Sequence, residues 1–100
     1  MYTKSKSSPR FEKKFRIQVL AKHGECLFLR LFLVLSGEAL PLADEQWLVE
    51  PEGYTPVVPR FAKLEAICGG SLLEDTLETL AERGVGSYVQ ISCAADPEFL

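Results

Sequence analysis

The chain is poor in the side chains that most often carry chemistry. Its 100 residues include one His, one Met, one Trp and three Cys. A lone His23 leaves no Ser/His/Asp signature, and the adjacent carboxylates Asp44 and Glu45 read as loop surface rather than an acid/base pair. Cys26, Cys68 and Cys93 stand too far apart for any CxxC motif, and paired zinc-ligand spacings are missing, so neither metal nor cofactor is expected. An odd number of thiols points to a reducing compartment, taken here as the cytoplasm. There is no GxGxxG and no GxxxxGK[ST], and "GVGS" follows a helical pattern and precedes a strand, the reverse of the order used to bind nucleotides. Long apolar runs are lacking too. The block Cys26–Leu35 spans ten residues with Arg30 among them, against the roughly 20 that a membrane-spanning helix needs.

What remains is a globular composition, 47% apolar and 25% charged, suited to one domain with a modest core. Basic residues ahead of the apolar block give it the look of a secretory signal. Glu25 and Arg30 break that pattern, and the preceding "FRIQVL" alternates Phe15, Ile17 and Val19 with Arg16 and Gln18, as a half-buried strand does. The two runs therefore form a β-hairpin. A three-residue "KHG" connection, with Gly24 left-handed, predicts the pairs Val19 with Leu27, Ile17 with Leu29 and Phe15 with Leu31 on a core face. The opposite face of the second strand carries Cys26, Phe28, Arg30, Phe32 and Val34 and also needs cover, whether from helices, a second sheet or another copy. So short a run fits a buried helix as well. If Phe28, Phe32 and Val34 stay uncovered, a symmetric homodimer is expected, with Arg30 paired to Glu50 or Glu52.

Beyond the hairpin, "SGEALPLADE" reads as a loop, "QWLVE" as a short strand or helical turn, and "PEGYTPVVP" as a proline-rich connection. From Pro59, the positions Phe61, Leu64 and Ile67 or Cys68 recur at helical spacing, ended by Gly69 and Gly70. "SLLEDTLETLAERG" is a second helix, with Ser71 and Glu74 as a capping box, Leu73, Leu77 and Leu80 on one face and Gly84 as the stop. Val85, Ser87, Val89 and Ile91 then alternate with polar residues in a last strand. The expected fold class is α+β. A flexible basic arm, 1–12, precedes a single domain, 13–100, in which an N-terminal β-hairpin, an irregular connection, two helices and a C-terminal strand pack on one mostly antiparallel sheet.

Charge is unevenly divided: residues 1–30 carry a balance of +6 and residues 31–100 one of −9, for a net −3. The outer face of the second helix, Glu74, Asp75, Glu78 and Glu82, is acidic, and Trp47 and Tyr54 flank the proline-rich loop. Together they suggest a small soluble interaction or regulatory protein, without enzymatic chemistry, that binds a macromolecule, most simply a protein. Each has a plainer explanation, since acids near a helix N-terminus suit its dipole and a Trp often fills a core. A second reading is a nucleic-acid-binding module using Lys4, Lys6, Arg10, Lys13 and Lys14. A third is a thiol enzyme or sulfur carrier using Cys68. Against it, Cys68 closes a helix at the C-terminal end, where the dipole disfavours a thiolate, and it reads more simply as a small core residue.

Overall fold

The alternation around residue 15 produces a strand longer than "FRIQVL". In the computed structural model, which describes residues 11–95, β1 is Phe11–His23, β2 Cys26–Leu35, β3 Glu38–Glu50 and β4 Gly53–Pro56. A 3-10 turn at Pro59–Phe61 leads into α1 (Lys63–Cys68), α2 (Gly70–Arg83) and β5 (Tyr88–Ala95). The strands form one antiparallel sheet in the order β4-β3-β2-β1-β5. Both helices lie against one face of it. The class is α+β, as composition and pattern predict. β1 begins at Phe11, so the last two residues of the segment 1–12 expected as an arm belong to the sheet, where Phe11 and Glu12 pair with Ala95 and Ala94.

The hairpin keeps its predicted faces but not its register. Only Gly24 and Glu25 form the turn, His23 lies opposite Cys26, and an extra residue, Leu20, bulges out of β1. Val19 therefore pairs with Leu29, Ile17 with Leu31 and Phe15 with Leu33. The offset is two residues, so the side-chain period of two leaves the same residues facing the core. Phe15, Ile17, Leu27, Leu29 and Leu31 are fully buried. Gly24, at φ 61, takes the left-handed turn position that a side chain would resist.

The largest departure is β3, thirteen residues of strand where the sequence suggests a loop. Pro41 misleads there, since a proline has no amide for a ladder. It is tolerated because it sits opposite Phe32 beside a second bulge, where pairing is already interrupted. β2 is apolar on both faces because it is the central strand. Segment 36–58 thus widens the sheet and does not cover its outer face, where Cys26, Phe28, Phe32 and Val34 stay half-buried.

On the inner face Leu64, Ile67, Leu77 and Leu80 pack on the strand leucines and Trp47. The predicted capping box does not form. α2 starts at Gly70 with Gly69 as its cap and no side-chain cap hydrogen bond, which places Ser71 inside the first turn. Two glycines turn the chain so sharply that the second helix begins two residues too early for Ser71 to cap it. Gly84, at φ 85, ends α2 as expected, its amide bonded to the Leu80 carbonyl at 2.9 Å. Among the described residues no helix is long and apolar enough to cross a membrane.

Candidate interaction groove

Tyr54 stands on β4, the short return of the β3–β4 hairpin, and α2 passes beside it with its acidic face turned away from the core. The Tyr54 hydroxyl donates to Glu78 Oε2 at 2.9 Å. That bond joins two features far apart in sequence, the aromatic loop and the acidic helix face. Between them opens a shallow groove of about 400 Å³, walled by Val49, Glu50 and Pro51 on the hairpin and by Glu78, Ala81 and Glu82 on the helix. Its rim carries three carboxylates. Partial desolvation, then the Glu78 hydrogen bond and the nearby charges of Glu78, Glu74 and Asp75, push the Tyr54 phenol up to about 12. It is a firm hydrogen-bond donor at neutral pH. On the helix side Lys22 Nζ donates to the Ala81 carbonyl at 3.3 Å.

Of the predicted contact residues, Tyr54, Glu78 and Glu82 meet in this groove, and Glu74 and Asp75 lie exposed one turn earlier on α2. Trp47 does not belong to the surface. It is 1% exposed, and its neighbours are the core leucines. It alternates with Gln46 and Leu48 on β3, and the odd positions there face inward across from Leu27. Val49, Glu50 and Pro51 were not legible as groove residues. Their place follows from the tight β3–β4 hairpin, which no pattern in "QWLVEPEGY" announces.

The two carboxylates read as loop surface have separate structural tasks. Asp44 takes a two-pronged contact from Arg30, Nε to Oδ1 at 2.7 Å and Nη2 to Oδ2 at 3.0 Å. Arg30 therefore does not pair with Glu50 or Glu52, because register sets Asp44 directly opposite it. The shared hydrogen bonds hold Arg30 above its usual range and Asp44 below the usual carboxylate range. Glu45 points inward and caps α1, accepting from the backbone amides of Lys63 and Leu64 and from Trp47 Nε1 at 2.9 Å. A carboxylate at a helix N-terminus satisfies orphan amides and suits the dipole. The small hollow of about 110 Å³ beside it is thus lined by a group already engaged.

Cys68 lies in surroundings that disfavour its thiolate. Burial pushes Cys68 up to about 12, with Cys93 and Glu45 adding to the shift and a hydrogen bond with Thr76 opposing it. Cys93 Sγ donates to the Ile67 carbonyl at 3.4 Å. None of the three cysteines is in a disulfide, and all are half-buried. Among the described residues, no group of three or more His, Cys, Asp or Glu side chains is arranged to hold a metal ion. Of the cations considered for nucleic acid, Lys4, Lys6 and Arg10 lie outside the described residues. Lys13 and Lys14 are successive residues of β1 and so belong to opposite faces of the sheet. No protein-family model matches the chain, and neither curated proteins nor solved structures give a match.

Proposed function

We propose that this is a non-enzymatic interaction protein that holds a basic segment of a partner protein in the groove between the β3–β4 hairpin and α2. The Tyr54–Glu78 hydrogen bond carries the reading, because it fixes an aromatic wall against an acidic one. Glu50 and Glu82 add negative charge on either side, while Val49, Pro51 and Ala81 offer apolar contact for the methylene stem of a Lys or Arg. Such a site favours recognition and rapid encounter over great affinity, since its charges are open to solvent and salt. Three cysteines without a disulfide support a reducing compartment, and the cytoplasm is the natural place for this role.

Fluorescence anisotropy with short labelled peptides tests it. Lys/Arg-rich peptides are expected to bind at low salt, acidic ones not, and affinity should fall as salt rises. Glu50→Lys with Glu82→Lys should weaken binding by about tenfold or more while circular dichroism stays native. Equal binding of acidic and basic peptides, or indifference to the double charge reversal, would exclude the groove.

A further inference from the structure

The two edges of the sheet are built differently. β4 has four residues, ends at Pro56 and is preceded by Pro51 in its turn, all features that discourage another strand from pairing there. β5 is "YVQISCAA", eight residues without a charge or a proline. Among the described residues nothing but β1 pairs with it. We infer that β5 is a self-association edge, joined antiparallel to β5 of a second copy about a two-fold axis at Ile91.

Backbone geometry selects that register. The Val19 amide donates to the Ser87 carbonyl at 2.9 Å, so the carbonyl of Ser87 points to β1. Alternation directs the backbone polar groups of Val89, Ile91 and Cys93 to β1 as well, leaving the N–H and C=O of Tyr88, Gln90, Ser92 and Ala94 aimed at the free edge. An antiparallel mate must match these outward residues with one another. The register that uses all four sets Gln90 opposite Ser92 of the second copy and Tyr88 opposite its Ala94, closing roughly eight backbone hydrogen bonds. Only an extended strand can satisfy such a row of groups.

Side chains favour a second copy as that strand. On the helix face the axis brings Ile91 against its own mate in a close, non-hydrogen-bonded pair, continuing the apolar row from Phe15. On the outer face Lys14 is opposite Ser92 and Arg16 is opposite Gln90. Arg16 leans over β5 of its own copy, donating from Nη2 to Gln90 Oε1 at 2.8 Å and lying 4.8 Å from the Tyr88 ring, so each copy sets one exposed, salt-screened guanidinium beside the seam. β5 itself contributes no charged side chain to the seam. The acidic groove sits at the β4 side of the sheet, so the ten-stranded dimer would carry one groove toward each end and engage a repeated basic ligand bivalently.

Light scattering coupled to size exclusion, run on the full chain over a concentration series, is expected to show a mass rising toward two chains. Gln90→Pro and Ser92→Pro each delete an outward amide while sparing the β1 ladder, and each should weaken the dimer by about tenfold or more with native circular dichroism. Should both variants misfold, Ile91→Cys gives a separate readout: mild oxidation should yield a covalent dimer whose disulfide maps to residue 91 in both chains. A mass of one chain at every concentration overturns the inference. So does a dimer that forms no such disulfide and survives either proline, or one abolished by Phe32→Glu alone, which assigns association to the outer sheet face.

Discussion

Cys68 illustrates how burial decides what a side chain can do. At a helix end and next to two glycines it has the sequence context of an accessible thiol, yet packing raises its pKa to about 12. Its thiolate is scarce at neutral pH. Alkylation at pH 7.5 should therefore run about three orders of magnitude slower than for the same thiol in denaturant. The shift also has a consequence for stability. A folded-state pKa above the unfolded value of about 8.5 means the contribution is complete below that pH and is lost as pH climbs toward the folded value. Thermal unfolding measured from pH 8 to 11 should show a falling midpoint, and Cys68→Ala should flatten the fall that begins near pH 9 at a cost of about 1 kcal/mol. A component beginning near pH 10 should persist in that variant, because the Tyr54 phenol is raised to about 12 as well. An unchanged slope after removal of Cys68 would refute the assignment.

Between elements, the junction of α1 and α2 rests on backbone conformation more than on contacts. Gly69 has φ 68 and ψ 161, a region that residues with a Cβ almost never enter. Beyond the adjoining residues nothing lies within 4 Å of where a Cβ would sit, so substitution there meets open space. Gly69→Ala should accordingly destabilise by about 1–3 kcal/mol through strain alone, lowering the urea midpoint without changing the slope. A shift below about 0.5 kcal/mol would mean that the helices can reorient at no cost. The bulges work at the same scale. Leu20 and the irregularity after Leu31 let strands of unequal pattern keep their apolar faces inward.

At the scale of the molecule the dominant property is charge asymmetry. Residues 1–10 contribute three cations and no acid, so their removal takes the net charge from −3 to −6. The two binding readings then move in opposite directions. Deleting residues 1–10 should tighten a basic peptide in the groove slightly and reduce any shift of a nucleic-acid probe, along with its salt slope. Anisotropy with both probes on both chains measures this. Peptide binding that is lost with the arm would remove the groove from consideration.

Local pattern determined much by itself: the inward faces of β1 and β2, the face and stop of α2, the alternation of the last strand and the α+β class. These follow from side-chain periods of 2 and 3.6, which survive whatever the rest of the chain does. Tertiary structure decided the remainder. Pairing with β2 made a strand of "EALPLADEQWLVE" despite Pro41, since a central strand leaves polar groups that a neighbour must satisfy. Register set Asp44 against Arg30 and turned Glu45 to α1, although the two acids are adjacent and chemically alike. The groove and the open edge of β5 belong to the same class. Each depends on which strand lies beside which, and that order is fixed by burial summed over the whole sheet, a quantity no short stretch contains.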